Sequence, residues 1–458
     1  MRQVCYTHVK WFLKAEAFPG AHWRTVPTSP AAERLRLDPL PFRERVLPNG
    51  LRAITLEDHR SATASVNVAY RVGGKDDPPG RSGFAHLFEH LMFKGTNQTG
   101  AETIDRLTED VGGFNNAFTT EDYTNYYEVV PSNYVETILW AEADRLSGLL
   151  VDDANFETER EVVIGEYDQR ILAEPYGMLG ELVTREAFAV HPYRLGVIGD
   201  PENLRAATLA DVRAFHATYY RPDNVTLIVV GDFESARIDE SIDRYFGAIP
   251  RPGPPIPRVE AVEPAQSTER RLQYESANAP LPALSVSWHI GSAGDRDLPA
   301  LDLIETLLGT GKSSRLYRSL VYEHQLATSV WAAADWNEQP GLFTIRAIAA
   351  AGASLARIEA LLDEDIDALR SQTVDESELE KAKVQLYSMT VRGLSTYNEI
   401  AQTIGRSAMV RGSARMLDDD MSRYAGVDAE MLRDVARRTF RRENRSVVEY
   451  LPTAGAKG

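Results

Sequence analysis

The sequence predicts an α+β fold built as two homologous halves, and three observations predict it: two landmarks recur at one spacing, strands and helices follow the same order in each recurrence, and a proline-rich stretch stands between the copies. Residues 65–79 read SVNVAYRVGGKDDPP and residues 285–299 read SVSWHIGSAGDRDLP, each an alternating strand running into a Gly/Asp loop and then a helix. The offset is 220 (285 − 65). A helix followed by a strand appears as LADVRAFHATYYRPDNVTLIVVGD at 209–232 and again as AEMLRDVARRTFRRENRSVVEYLP at 429–452, with Asn224 and Asn444 also 220 apart. Two independent landmarks with one offset mark a duplicated unit of roughly 200 residues.

Each copy mixes strands (Ala64 to Val72, Tyr123 to Val130 and Thr226 to Gly231 in the first) with long helical patterns such as Tyr134 to Leu150 and Leu209 to Tyr220. The expected unit is a layered α/β sandwich with helices on one side of a largely antiparallel sheet. The join falls in RPGPPIPRVEAVEPAQ, 251–266, whose prolines favour a stiff, extended linker. The chain therefore divides into an N-terminal arm (1–42), a first half (43–250), the linker and a second half (267–458).

Composition excludes several classes. With 43% hydrophobic and 26% charged residues the chain has the balance of a folded protein rather than a disordered one. Lys and Arg total 50 against 67 Asp and Glu, a formal net charge of −17 that repels nucleic-acid backbones and anionic membrane surfaces. The longest apolar stretches, such as Ala347 to Leu362, are broken well before the ~20 residues needed to span a bilayer. Met1 to Lys14 lacks the apolar core of a secretory signal, so the expected compartment is the cytoplasm, with a periplasmic location if the start is misassigned or processed. The single cysteine, Cys5, excludes an internal disulfide and a four-thiolate metal site.

The chemistry concentrates at residues 86–90, His-Leu-Phe-Glu-His, inside GFAHLFEHLMF, which reads as a helix from Phe84 to a stop at Gly95. At 3.6 residues per turn His86 and His90 stack on one face with Glu89 beside them. Two imidazoles at that spacing can grip one zinc ion, and Glu89 can take a proton from the water the ion activates. This is the H-x-x-E-H order, the reverse of the commoner H-E-x-x-H. A catalytic zinc wants three protein ligands and an open position, so the third comes from elsewhere. In NFETEREVVIGEYDQR, 155–170, Glu159 and Glu166 lie two turns apart on a stripe that also carries Val162 and Val163. By spacing alone either reads as a solvated helix residue. GTGKSS at 309–314 imitates the end of a phosphate-binding loop, but the motif's first glycine would be Thr306, and the stretch reads better as a helix–helix turn.

HLFEHLMFKGT at 86–96 resembles the signature of the pitrilysin or insulinase family of inverted zinc metallopeptidases, in its mitochondrial-processing-peptidase-like bacterial branch. GGFNNAFTTEDYTNYY at 112–127 and YYRPDNVTLIVVGDF at 219–233 extend the similarity over about residues 43–455. The resemblance implies Glu166 as the distal ligand of one Zn2+ per chain and Glu159 as an accessory group that orients a ligand. It implies that Asn116, Ala117, Phe118 and Thr119 lie on an edge strand to which an extended peptide substrate adds its backbone. It further implies a fold of duplicated LuxS/processing-peptidase-like sandwiches closing like a clam shell, the first half zinc-binding and catalytic, the second inactive and closing over the substrate.

At the offset of 220 the positions of His86, Glu89 and His90 fall on Thr306, Gly309 and Thr310, which cannot bind zinc this way. Active members of the family are similar in an Arg and a Tyr seven residues apart after an S-R-L-Y/F segment. In SSRLYRSLVYEHQLATSV, 313–330, those places hold Val321 and Thr328, while Arg318 and Tyr322 have the wrong spacing. The reading is a zinc endopeptidase subunit whose substrate-binding Arg and Tyr come from a homologous zinc-less partner in a heterodimer, with a homodimer as the alternative. The rival from another class is a non-catalytic core subunit, a role the same fold also serves.

Overall fold

The computed structural model describes residues 37–453, so most of the expected arm, with Cys5, lies outside the described residues. Among the described residues eleven strands form two sheets. The first is ordered β1-β2-β6-β3-β5-β4, from β1 (Arg43–Val46), β2 (Arg52–Glu57), β3 (Thr63–Tyr70), β4 (Phe114–Thr119), β5 (Thr124–Pro131) and β6 (Val225–Gly231). The second is ordered β7-β11-β8-β10-β9, from β7 (Arg270–Ser276), β8 (Ala283–His289), β9 (Ala327–Asp335), β10 (Leu342–Ala349) and β11 (Arg445–Pro452). Both are antiparallel except for one parallel pair each, β2 with β6 and β7 with β11.

The principal helices are α1 (Phe84–Leu91), α2 (Val135–Gly148), α3 (Asp153–Tyr167), α4 (Gly177–Ala187), α5 (Leu209–Tyr219), α6 (Ser235–Phe246), α7 (Leu298–Gly309), α8 (Leu355–Ser371), α9 (Glu376–Arg392), α10 (Tyr397–Val410) and α11 (Ala429–Thr439). The expected strands and helices occur within two residues of their predicted ends, except that α1 stops at Leu91, four residues before Gly95.

The helices do not stay on one side of their own sheet. In the first copy α1, α2 and α6 pack on the face carrying Val66, Val68, Leu227 and Val229. The opposite face, with Ile54, Ile228 and Val230, is covered by α10 of the second copy through Tyr397, Ile400, Ala401 and Ile404. Reciprocally, α4 of the first copy lays Leu179, Val183 and Ala187 on Ala283, Val448 and Tyr450 of the second sheet. The two exchanged helices begin 220 residues apart (397 − 177), so each is the other's counterpart. This is why β6, Val225–Gly231, is buried along its whole length: both faces are covered, and its sequence is a continuous apolar run instead of an alternating one.

The repeat offset slips where it matters for the motif. It is 220 for β3 and β8, for α5 and α11, and for β6 and β11, but α1 and α7 begin 214 apart (298 − 84), because the loop joining strand to helix is shorter in the second copy. The counterparts of His86, Glu89 and His90 are therefore Ala300, Leu303 and Ile304 rather than Thr306, Gly309 and Thr310, and all three are buried in the second core. GTGKSS is the turn leaving α7, as expected.

A buried ionic junction ties the copies together. Lys75 of the first copy bonds Asp122 Oδ1 at 2.8 Å and Glu338 Oε2 of the second copy at 2.6 Å, and the Glu338 N–H donates to Asp122 Oδ2 at 2.7 Å. Nearby, burial pushes Glu121 and Glu305 up to about 7 and Asp302 up to about 6. Their unfolded values are about 4, so between pH ~4 and ~7 the folded chain holds protons that the unfolded chain has released. Stability is thus expected to fall as pH rises through that window. Thermal midpoints measured from pH 5 to 8 should decline, and Glu305→Gln should flatten the decline; a rising profile contradicts the assignment.

In the first core Arg145, 1% exposed, lies between the fully buried Glu128 and Glu142, with its guanidinium 4.6 Å from the Tyr126 ring centroid. Arg145→Met should cost about 3–5 kcal/mol in denaturant unfolding, because two carboxylates are left facing each other without a cation. A loss below ~1 kcal/mol would show that they neutralise by sharing protons.

Candidate metal centre

Helix α1 starts where it does because Gly83, at φ +95°, turns the chain and Asp77 caps the first turn. Its carboxylate accepts the Gly83 N–H at 2.6 Å and the Ala85 N–H at 2.9 Å. A side chain at Gly83 would meet the Ile198 carbonyl at 2.8 Å, so glycine is required. The apolar side of α1, Phe84, Leu87, Phe88 and Leu91, is buried in the first core. The other side turns His86, Glu89 and His90 towards α3, whose N-terminus is capped by Asp152 accepting the Asn155 N–H.

On α3, Glu159 and Glu166 face α1, whereas Val162 is 44% exposed and only Val163 is buried, so the predicted stripe loses Val162 to solvent. Glu166 Oε2 stands 3.3 Å from His90 Nε2 and 3.8 Å from His86 Nε2. One donor atom from each of His86, His90 and Glu166 lies within 4.8 Å of the others, and no second such group of three His, Cys, Asp or Glu side chains occurs among the described residues. Zinc–ligand bonds of about 2.0–2.1 Å in tetrahedral geometry put donors roughly 3.3 Å apart. The three atoms are thus spaced for an ion between them, and two imidazoles with one carboxylate are a donor set zinc takes.

The electrostatics ready two of the three donors, His86 and Glu166, for such an ion, while His90 must give up a proton to it. Burial, with the neighbouring His90, pushes His86 down to about 3, leaving its ring neutral with a lone pair to give. Burial also works against charge on His90, but the Glu159 and Glu166 carboxylates on either side hold it up at about 9. Burial opposes ionisation of Glu166, yet His90, His86 and Arg170 hold it down at about 2, so it is an anion. Glu159, 3% exposed, reaches His90 Nδ1 at 3.5 Å with one oxygen and Lys94 at 2.9 Å with the other.

Glu89 is raised by burial and accepts a hydrogen bond from Thr119 Oγ1 at 2.6 Å. That bond shows where the β4 residues lie. β4 is an edge strand, paired only with β5. Asn116 Oδ1 accepts its neighbour Ala117's N–H at 2.8 Å, Ala117 is buried, and Phe118 meets the Tyr123 and Tyr127 rings. Thr119 turns to Glu89. In the second copy Val321 packs against the core and Thr328 is exposed, while Arg318 pairs with Glu323.

Sequence reasoning passed over Lys94, Arg170 and the direction of Thr119. Arg170, 2.7 Å from Glu166, stands at the i+4 spacing at which helical ion pairs form, and that spacing could have found it.

Comparison with known proteins gives the family and the fold. Residues 52–200 match the family model described as insulinase (peptidase family M16), and residues 206–386 that of the peptidase M16 inactive domain. A zinc protease of Helicobacter pylori, PqqE, is 28% identical over 419 residues, 90% of this chain and 94% of its own length. The probable β subunit of the mitochondrial-processing peptidase of Arabidopsis thaliana is 26% identical over 406 residues, 86% of this chain and 75% of its own. The crystal structure of a protease from Helicobacter pylori superposes with a TM-score of 0.88 at 26% identity, over 90% of this chain and 100% of that one. Pitrilysin shares the fold at 19% identity, with a TM-score of 0.73 over 90% of this chain and 45% of its own.

Proposed function

The chain belongs to the insulinase (M16) family of peptidases, and from that premise we propose that it is a zinc-dependent endopeptidase subunit in which His86, His90 and Glu166 hold one zinc ion and Glu89 is the catalytic base. The observation that carries this reading is the convergence of those three donors, spaced for an ion, with the Glu89 carboxylate beside them. Zinc, when bound, supplies a Lewis acid that polarises a scissile carbonyl and makes water a better nucleophile near neutral pH. Glu89 takes a proton from the attacking water, the oxygen bonds to the carbonyl carbon, and the same proton passes to the amine nitrogen as the C–N bond breaks. Thr119 holds one Glu89 oxygen, leaving the other to carry the proton. An extended peptide adds to the free edge of β4 by main-chain hydrogen bonds, a mode indifferent to most side chains.

The same reading assigns residues 43–250 to the zinc-binding half, 251–266 to the linker and 267–458 to the half that closes over the peptide. Among the described residues no helix is long and apolar enough to cross a membrane. Val321 and Thr328, where the family pairs an Arg with a Tyr, favour a homologous zinc-less subunit as partner over a homodimer.

The test is hydrolysis of a quenched fluorescent peptide library, with and without chelator, by the chain alone and mixed with a zinc-less homologue. Chelator-sensitive cleavage only on mixing supports the heterodimer. Chelator-sensitive cleavage by the chain alone supports the peptidase and removes the need for a partner, and zinc binding without cleavage in either case favours the non-catalytic core role.

A further inference from the structure

We propose that Lys94 and Arg170 are positioning residues that clamp the outer oxygens of Glu159 and Glu166 and so set the metal affinity of the site. This rests on reading His86, His90 and Glu166 as the ligands. Each of the two glutamates divides its oxygens in the same way. Glu159 gives Oε1 to Lys94 Nζ at 2.9 Å and Oε2 to His90 Nδ1 at 3.5 Å. Glu166 gives Oε1 to Arg170 Nη1 at 2.7 Å and Oε2 to His90 Nε2 at 3.3 Å and His86 Nε2 at 3.8 Å. A cation on the outer oxygen and imidazole on the inner one is a repeated pattern, with one ring at Glu159 and two at Glu166, made by residues from two separate places: Lys94 three residues beyond the end of α1, and Arg170 on the π-helical turn Asp168–Ala173 that follows α3.

Three physical consequences follow. With Oε1 held by Arg170, Glu166 offers an ion a single oxygen, which leaves a coordination position open for water or substrate, as a catalytic zinc requires. With Oε1 held by Lys94, Glu159 keeps Oε2 on His90 Nδ1; the ring then carries its proton there and turns Nε2 to the donor set. Because both carboxylates are already fixed in their rotamers, ion binding costs less side-chain entropy than it would with free glutamates. Charge works the other way, since Lys94 beside Glu159 and Arg170 beside Glu166 repel a dication, so the gain in affinity comes from orienting the carboxylates and outweighs that repulsion. Both cations are partly exposed, with side chains 24% and 49% accessible, so their replacement leaves the core intact.

The experiment is competition for zinc between a chromophoric chelator and the metal-free full chain, with circular dichroism and thermal midpoints of the metal-free forms as fold controls. Lys94→Met and Arg170→Met are expected to weaken zinc by about 10–100-fold each, the range for groups that orient ligands, while Lys94→Arg and Arg170→Lys keep near-wild-type affinity. Arg170→Gln serves as a second neutral variant. Folded neutral variants with wild-type affinity overturn the proposal, as does equal loss in the charge-conserving exchanges, which marks a packing role. A wild-type chain that binds no zinc defeats the ligand reading itself, a separate outcome from either.

Discussion

Glu89→Gln should retain one zinc per chain and a near-normal KM while kcat falls by about 10²–10⁴-fold, the range general acid–base catalysis contributes. The substitution is close to isosteric. The carbonyl of the new amide can still accept the Thr119 hydroxyl, now 2.6 Å from Glu89 Oε2, and the donor atoms of His86, His90 and Glu166 are untouched. What is lost is basicity, since an amide cannot take the proton that must leave the attacking water. Because burial raises the Glu89 carboxyl, its proton affinity in the native enzyme is nearer to neutrality than that of a free glutamate, and the contrast with an amide is correspondingly large. Zinc content by atomic emission, with kcat and KM on a fluorogenic peptide, decides it. Normal turnover in a zinc-replete variant would remove Glu89 from the chemistry, and zinc loss would make it a ligand or an essential neighbour of one.

Much of this site was legible because its core is local. His86, Glu89 and His90 lie within one helical turn, and α1 is amphipathic enough for spacing alone to put the three side chains together. The two-sheet duplication was legible for the same reason, from runs such as Ala64 to Val72 and Thr226 to Gly231 that needed no long-range information. The exchange of α4 and α10 was not. An amphipathic helix announces that it needs an apolar surface, not which sheet supplies it, and Ile400 and Leu179 look alike in sequence whichever copy they cover. Thr119 is a similar case. On a strand, period two puts it on one face or the other, and only the packing of β4 against α1 decides that the face is that of Glu89. The shifted counterparts Ala300, Leu303 and Ile304 escaped because a constant offset assumes loops of equal length, and the loop before α7 is shorter than that before α1.

His86→Ala should separate metal binding from catalysis in the other direction, losing zinc and activity together. Two donors remain, His90 and Glu166, and a two-ligand site should fall short of the wild type by more than the ~100-fold that marks the upper end for outer groups. The fold should tolerate the change. His86 is 6% exposed and its Nδ1 has no hydrogen-bond partner, so the metal-free protein already carries a buried polar atom that costs about 1–3 kcal/mol. Removing the ring relieves that cost and opens a cavity of comparable and opposite effect. Metal-free wild type and His86→Ala are therefore expected to unfold at about the same temperature. Zinc then discriminates them: at a thousandfold excess over its Kd it should stabilise the wild type by about 4 kcal/mol and the variant hardly at all. A zinc-replete, zinc-stabilised His86→Ala chain would refute the ligand assignment. A variant that unfolds far below the metal-free wild type would instead make His86 a structural residue of the first core.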